Sequence, residues 1–140
     1  MIYVAVTTNT NFISCIKNNI YAERSDIRMK KIQPGDILVF YILKKSCFSA
    51  IAKVKSKVKY DSTLIFTDEL FPYRISLDFI YKLKEENWIK LKDISDKLEV
   101  IKNKSIAPGV YFRTNMKEIL EKDYKIIEYF IKKEFKMLLK

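Results

Sequence analysis

The alternation of apolar and polar positions predicts four long strands. Residues Ile2 to Thr8 are apolar on both faces of a strand, as in a central or barrel strand. The run Ile37 to Leu43 is uninterrupted, and it follows the turn Gln33 to Asp36, in which proline presets φ and glycine accepts a positive φ. Phe48 to Tyr60 and Tyr73 to Leu83 alternate with a period of two, which is typical of strands that bury one face.

Helical spacing occurs near both ends of the chain. Thr10-Asn11 offers an N-cap to a short helix that ends near Asn19. Short helical segments are expected around Lys92 to Leu98 and, capped by Thr114, through Leu120. The longest helix is expected from about Lys122 to Leu139, where apolar residues recur at helical spacing.

The order of these elements limits the fold class. The strands follow one another with hairpin-like connections, and no βαβαβ alternation occurs, which disfavours a doubly wound parallel sheet. Residues Tyr21 to Lys31 are expected to be irregular. The chain has 140 residues, a common domain size, and 49% hydrophobic residues, enough for a core. We therefore expect a single α+β domain over residues 1–140, a mostly antiparallel curved sheet or partly open β-barrel flanked by helices.

The composition excludes many kinds of catalytic site. The chain contains no histidine, only two cysteines and only two glycines. Histidine-based catalytic triads, histidine-containing metal sites, P-loops and dinucleotide-binding loops are thus impossible. We expect no catalytic residues, no metal and no organic cofactor, although an enzyme that uses Asp, Lys or Cys remains an alternative.

The cysteines and the apolar runs bear on location. Cys15 and Cys47 lie in apolar settings without a paired motif, so we expect reduced thiols in the core. No apolar run approaches the roughly 18 residues that span a bilayer, and the N-terminus lacks the basic region of a signal peptide. These features favour a cytoplasmic protein without a membrane partner.

The charge balance favours a polyanionic partner. Lys and Arg together number 27 against 17 acids, for a net charge of +10. Such an excess favours nucleic acid ahead of a membrane surface. The excess is mostly lysine, however, and can also reflect genome composition or a hot habitat.

Several polar and aromatic groups are candidates for binding, and each has a simpler structural explanation. The amides and hydroxyls of Thr7 to Asn11 could read the edge of a base or merely cap a helix. Lysines 53, 55, 57 and 59 could follow a phosphate backbone or form the charged edge of a sheet. Arg74 could contact phosphate or pair with Asp61 or Asp68. Five aromatic residues outside any periodic stripe could stack on a base or pack beneath loops: Tyr21, Phe66, Phe71, Tyr111 and Phe112.

Segments spread over the whole chain carry a resemblance to one family. They are residues 8–12, 20–22, 32–41, 48–54, 60–66, 72–75, 111–113 and 123–124; the Pro-Gly-Asp turn before a Phe-Tyr strand and the later Pro-Tyr-Arg are the most distinctive. In this order they resemble the EVE domain family of the PUA-like superfamily, of the small archaeal or bacterial stand-alone type, whose relatives include YTH and ASCH domains. The resemblance implies a partly open β-barrel with a pocket at its mouth. YTH relatives hold N6-methyladenine of RNA in an aromatic cage, and EVE domains are linked to modified bases, often in DNA.

The resemblance also implies positions for the pocket. The Asn-rich turn of the family falls on Thr8 to Asn11, and its pocket-wall Trp-Gly falls on Tyr21-Ala22. By analogy with YTH domains, Phe66 would supply a second ring. Tyrosine is a smaller stacking face than tryptophan, so the cage could be weaker or suited to another ligand. Trp88 lies outside these positions and is expected in the core.

The sequence therefore predicts a nucleic-acid-binding module that reads a modified or flipped-out base of single-stranded or locally opened RNA or DNA. The predicted base-binding residues are Thr8, Asn9, Asn11, Tyr21, Phe66 and Arg74. The predicted backbone-binding residues are Lys53, Lys55, Lys57 and Arg113. The alternatives are a small-molecule sensor or regulatory protein without nucleic acid contact and a hydrolase or transferase of nucleotide-like substrates. The choice between RNA and DNA, the modification and the oligomeric state are left open.

Overall fold

The computed structural model describes residues 1–66, 70–103, 108–113 and 116–138, without the side chains of residues 110 and 138. Within these residues the chain forms eight strands and three α-helices. The strands are β1 (Ile2–Thr7), β2 (Ile20–Glu23), β3 (Ile37–Ile42), β4 (Cys47–Val54), β5 (Lys59–Tyr60), β6 (Tyr73–Lys82), β7 (Ile89–Lys90) and β8 (Met116–Glu118). The helices are α1 (Asn9–Asn18), α2 (Leu91–Ile94) and α3 (Glu121–Leu138).

The strands form one mixed sheet that curls into a half-barrel. Their order is β2-β6-β4-β3-β1-β8, with β5 paired to β6 and β7 paired to β4. The pair β1 and β3 is parallel, and the other described pairs are antiparallel. Register shifts at Phe40/Tyr41 and Ile51/Ala52 interrupt the central ladders, and such irregularities increase the local bend of a sheet. The predicted curved, mostly antiparallel sheet flanked by helices is confirmed.

The sheet buries a separate core on each face. Alternate residues of β3 divide between them: Phe40 lies in one core, whereas Val39 lies in the other with Ile127 of α3. The ring of Tyr21 on β2 approaches that of Phe40 with centroids 6.1 Å apart, although β6 and β4 separate the two strands in the sheet. Since only a curled sheet permits this contact, the face with Phe40 is the inside of the half-barrel. No helix of the described residues is long and apolar enough to cross a membrane.

Besides the two-residue strand β7, two strands form where the sequence predicted none. The stretch Tyr21 to Lys31 was expected to be irregular, but β2 pairs with β6, for example Tyr21 with Ile75. A helical turn was expected up to Leu120, but β8 pairs with β1, with Val4 opposite Lys117. Thr114, its predicted cap, lies outside the described residues. Both strands are too short to show a clear period, and tertiary pairing determines their conformation.

The predicted strand Phe48 to Tyr60 is interrupted after Val54. The carbonyl of Val54 still accepts from the N–H of Gly35 (2.9 Å), but beyond it the N–H of Ser76 donates to the side-chain oxygen of Ser56 (3.0 Å). A side chain thus takes a place that a backbone carbonyl would hold in a continuous ladder. Lysines 53, 55, 57 and 59 therefore do not form one row on one strand.

Candidate functional site

A cavity of about 280 Å³ lies at the end of the half-barrel where β1 and β3 both terminate. The two strands are joined there by the N–H of Leu43, which donates to the carbonyl of Thr7 (2.8 Å). Helix α1, strand β2 and the segment that precedes β6 complete the wall. The lining residues are Val6, Thr7, Thr8, Asn11, Cys15, Tyr21, Ala22, Arg24, Leu43, Phe66 and Phe71.

The junction of β1 and α1 supplies the polar wall. Thr8, rather than the predicted Thr10-Asn11 pair, caps the helix, because its hydroxyl accepts from the N–H of Asn11 (3.2 Å). This cap fixes the first turn of α1 against the end of β1. The Thr7 hydroxyl and the Asn11 Oδ1 are both buried without a hydrogen-bond partner among the described residues. A buried polar atom left unpaired costs about 1–3 kcal/mol, so two in one cavity mark a place where a ligand could pair with them.

Three aromatic rings supply the apolar wall. Tyr21 is only 2% exposed, and its hydroxyl donates to Glu23 Oε2 (2.8 Å). Phe66 and Phe71 meet edge to face with centroids 5.0 Å apart. The guanidinium of Arg24 lies 5.7 Å from the centroid of the Phe71 ring, which brings a cation to the cavity. The cavity thus combines flat apolar surfaces with hydrogen-bonding oxygens and one positive charge.

Burial keeps two groups of the wall, the Cys15 thiol and the Tyr21 hydroxyl, in their uncharged forms. It raises the pKa of the Cys15 thiol to about 12, so this thiol is neutral and forms part of the apolar lining. Burial likewise raises the pKa of Tyr21 well above its ordinary value, and the nearby Glu23 carboxylate raises it further. The pKa of Glu23 itself is raised by desolvation, which outweighs the hydrogen bond from Tyr21 and the nearby Arg28. Neither the Cys15 thiol nor the Tyr21 hydroxyl is therefore suited to act as a nucleophile or base near neutral pH.

Four of the six predicted base-binding residues line the cavity, namely Thr8, Asn11, Tyr21 and Phe66. Asn9 does not, because its amide turns away and donates to Glu85 Oε1 (3.5 Å). Arg74 does not either: it is 5% exposed, and its Nε donates to the carbonyl of Phe71 (2.9 Å). The expectation that all six share one concave surface is therefore corrected to four.

Arg74 is a structural residue of the cavity wall. Besides Phe71, its guanidinium donates to the carbonyl of Thr63 and lies 3.6 Å from the Asp61 carboxylate. The alternative that Arg74 pairs with Asp61 therefore holds, whereas Asp68 lies outside the described residues. These contacts tie the start of the segment between β5 and β6 to its end. Arg74 thereby positions Phe66 and Phe71 without lining the cavity itself.

Lys53, the first of the predicted backbone-binding lysines, lies far from the cavity. Lys53 pairs with Ile37 at the start of β3, whereas Leu43, which lines the cavity, follows the end of β3. Six strand residues at about 3.3 Å each place these two ends some 17–20 Å apart. Lys55, one position past β4, is also engaged by Asp78 (3.7 Å). Lys53, Lys55 and Lys57 are exposed, and the antiparallel hairpin carries Lys53 to the opposite end of the sheet. Lys57 precedes β5, in which Lys59 pairs with Arg74.

The other aromatic candidates belong to the second core or to its edge. Phe112 is fully buried, with its ring centroid 5.0 Å from that of Tyr41. The Tyr111 hydroxyl accepts from the N–H of Asn103 (2.8 Å). Trp88 packs edge-on against Phe12 with centroids 5.9 Å apart, in agreement with the expected core position. Arg113, the fourth predicted backbone residue, is exposed beside Phe112.

Sequence reasoning missed three residues of the wall. Thr7 was a candidate in the stretch Thr7 to Asn11 but not one of the six predicted base-binding residues, and its unpaired hydroxyl in the folded chain distinguishes it. Phe71 was a candidate aromatic, but no feature of the sequence linked it to the cavity. Arg24 follows the four residues of β2 directly. Recognition of that short strand would have placed Arg24 at the end of a strand, where side chains often reach ligands.

The EVE domain profile matches residues 17–130. The chain belongs to the EVE domain family. A UPF0310 protein of Pyrococcus abyssi is 33% identical over 140 aligned positions, which cover 90% of this chain and 96% of that protein. The matched stretch includes the cavity residues from Tyr21 to Phe71, and the polar wall of β1 and α1 precedes it.

Solved YTH domains share the fold of this EVE domain. The YTH domain-containing protein mmi1, solved as an RNA complex, has a TM-score of 0.69 at 14% identity and covers 99% of this chain and 86% of its own. The YTH domain of Zygosaccharomyces rouxii MRB1, solved with N6-methyladenosine RNA, has a TM-score of 0.68 at 14% identity and covers 92% and 85%. At such low identity the likeness establishes a common architecture.

Proposed function

We propose that this EVE domain binds nucleic acid by taking one unpaired base into the cavity between α1 and β2. The observation that carries the proposal is the pair of buried, unpartnered oxygens, Thr7 Oγ1 and Asn11 Oδ1, in a cavity with aromatic walls. A base offers N–H groups on its edge and a flat face on each side. It therefore matches both kinds of wall with one rigid group.

The chemistry of the two oxygens favours a donor on the ligand. Asn11 Oδ1 can only accept a hydrogen bond, whereas the Thr7 hydroxyl can accept or donate. An exocyclic amino group or a ring N–H of a base would satisfy Asn11, and the adjacent ring nitrogen or carbonyl could pair with Thr7. Phe66, Phe71 and Tyr21 would contact the base faces, where a stacked ring contributes about 1–3 kcal/mol.

The size of the cavity restricts the ligand to a single small ring system. Its volume of about 280 Å³ lies at the lower end of the range for small-molecule sites. A base fits this scale, and its sugar and phosphate would remain outside. Because a base within a duplex is stacked and paired, single-stranded or locally opened strands should bind best.

Modified bases are the finer part of the proposal. The structural neighbours include a YTH domain bound to N6-methyladenosine RNA, and a methyl group would lie well against an apolar ring such as Phe66. Methylation also weakens pairing within the strand, which makes extrusion easier. We therefore expect a methylated or otherwise enlarged base to bind more tightly than the plain one.

Two substitutions test the cavity from opposite walls. Ala22 is half-buried on β2 and lines the cavity, so Ala22→Leu would occupy part of the space that the base needs. Asn11→Ala would remove the unpaired acceptor. We expect each to weaken binding of labelled single-stranded oligonucleotides, carrying plain or N6-methylated adenine, by about 1–3 kcal/mol, or five- to a hundred-fold, measured by fluorescence anisotropy.

The control is Ile13→Ala, on the same helix as Asn11 but 58% exposed and outside the cavity. It should leave the affinity unchanged. The corresponding duplex should bind more weakly than the single strand to the unmodified protein. The proposal is wrong if Ala22→Leu folds normally and binds every oligonucleotide as tightly as the wild type.

A further inference from the structure

We propose that the phosphates of the bound strand are held by four lysines at the cavity end of the sheet, Lys44, Lys45, Lys90 and Lys92. This inference rests on the proposed function, since the base in the cavity determines where its own strand leaves. It replaces Lys53, Lys55 and Lys57 as the backbone-binding surface. We call the four residues the turn lysines.

The turn lysines border a second concavity that adjoins the cavity. They line it together with Ser46, Leu91, Pro108 and Gly109, and none of the described residues of that lining is acidic. Leu43 lines the base cavity, and Lys44 and Lys45 follow it directly in the chain, at most about 7 Å further on. Strand β7 brings the other pair alongside, because Lys90 pairs with Cys47 across the ladder.

One carboxylate, that of Glu85, contacts both Asn9 of helix α1 and Lys45 of the turn lysines. Glu85 Oε1 accepts from the amide of Asn9, the residue after Thr8 of the cavity lining (3.5 Å), and Glu85 Oε2 lies 3.4 Å from the ammonium of Lys45. A phosphate that approaches Lys45 would compete with Glu85. For Lys44, Lys90 and Lys92 there is no ion pair within the described residues, so their charges are available to a polyanion.

The backbone at Lys44 supports a role for its side chain. Lys44 has φ 68° and Ser46 has φ 52° in the tight turn between β3 and β4. Hairpin turns with positive φ favour Gly, Asn or Asp, and a β-carbon in this conformation costs about 1–2 kcal/mol. A lysine in such a position is destabilising for the fold, and strained positions of this kind are concentrated at functional sites.

The test compares charge removal at the two ends of the sheet. The double variant Lys90→Gln/Lys92→Gln removes two turn lysines, and Lys53→Gln/Lys55→Gln removes the same charge at the far end. The probe is an end-labelled single-stranded oligoadenylate, as DNA and as RNA, and its dissociation constant is measured over a series of salt concentrations. Each lost phosphate contact lowers the slope of log K against log salt by about 0.7 for single strands.

We expect the turn-lysine double variant to lower the slope by about 1.4 and the far-end variant to change it by much less. Binding of free adenosine, which carries no phosphate, should be equal in both. Glu85→Gln should strengthen binding of the oligonucleotide at low salt, because it frees Lys45. Lys44→Gly should raise the free energy of unfolding and still lower the salt slope, which a purely structural role for Lys44 does not predict.

The outcomes separate this inference from the proposed function. If the far-end variant lowers the slope as much as the turn-lysine variant, the turn lysines are not the phosphate site, even though Ala22→Leu still weakens binding. A second outcome is that the turn-lysine variant binds vesicles containing anionic phosphatidylserine more weakly but binds the oligonucleotide as the wild type does. In that case the partner is a membrane surface and the inference is overturned. A third outcome is that the turn-lysine variant lowers the salt slope for a strand without bases, whereas Ala22→Leu leaves the affinity for oligoadenylate unchanged. The proposed base binding in the cavity is then wrong, and the phosphate site stands.

Discussion

Substitution of Tyr21 gives the sharpest test of how the cavity wall is built. Tyr21 is 2% exposed, its ring approaches that of Phe40, and its hydroxyl donates to Glu23 Oε2 over 2.8 Å. Tyr21→Ala would therefore truncate a core side chain as well as a stacking surface. Large aromatic-to-alanine changes in a core cost about 3–5 kcal/mol, a large part of the 5–15 kcal/mol that holds a typical domain together.

Tyr21→Phe separates the two effects. The variant keeps the ring and its contact with Phe40 but removes the hydrogen bond to Glu23. We expect it to lower the free energy of unfolding by about 1–3 kcal/mol, since a buried carboxyl then lacks a donor. Because the ring face remains, base binding by the folded protein should stay within about two-fold of the wild type.

The assay uses the single tryptophan of the chain. Trp88 packs edge-on against Phe12 in the same core, so its fluorescence should report urea unfolding of this region. Oligonucleotide affinity is then measured where each variant is folded. The reasoning is refuted if Tyr21→Phe loses as much stability as Tyr21→Ala, or if Tyr21→Phe abolishes binding while it remains folded.

Two further predictions concern buried carboxylates. Desolvation raises the pKa of Glu23 in the folded protein. As pH rises, the unfolded chain therefore loses this proton first, near pH 4.3. The stability that the protonated form contributes is then lost as pH rises through the pKa of the folded protein. Relative to Glu23→Gln, the free energy of unfolding of the wild type should therefore fall as pH rises between these two pKa values. The loss is about 1.4 kcal/mol for each pH unit that separates them. Parallel pH profiles for the two proteins in urea titrations would contradict this. The Asp123 carboxylate accepts hydrogen bonds from the N–H groups of Glu99 (2.8 Å) and Val100 (2.9 Å). Asp123→Ala should therefore lower the free energy of unfolding by about 2–5 kcal/mol. Asp123→Asn keeps one acceptor oxygen and should lower it by roughly half as much. Equal urea midpoints for Asp123→Ala and the wild type would show that water replaces the carboxylate.

The long strands could be predicted because their periodicity is set by burial on one or both faces. The run Ile37 to Leu43 contains β3, and Tyr73 to Leu83 contains β6 with one residue to spare. The short strands β2, β7 and β8 could not be predicted, since two to four residues carry no period and their conformation depends on partners distant in the chain. The parallel pairing of β1 with β3 was likewise not accessible from local pattern.

The cavity was only partly predictable for a related reason. A resemblance to known domains directed attention to Tyr21 and Phe66, and both line the cavity. The sequence does not reveal whether an arginine is exposed, so Arg74 was assigned to the ligand although it is buried in the wall. Exposed lysines look alike in sequence, and only the hairpin geometry shows that Lys53 and Lys44 lie at opposite ends of the sheet.

Arg74 illustrates how a residue outside a cavity can determine its shape. Phe66 and Phe71 lie on an irregular segment, and such segments need fixed points if their side chains are to hold a ligand. Hydrogen bonds from the N–H and the side chain of Thr63 lower the pKa of Asp61, and they outweigh the opposite effect of desolvation. The Arg74 charge lowers this pKa further, so the carboxylate stays ionised beside the guanidinium. Arg74 then joins Asp61, the Thr63 carbonyl and the Phe71 carbonyl through one planar group. A lysine offers no such fork of donors, and it could satisfy only part of this network. The wall of the cavity thus depends on an arginine that does not line it.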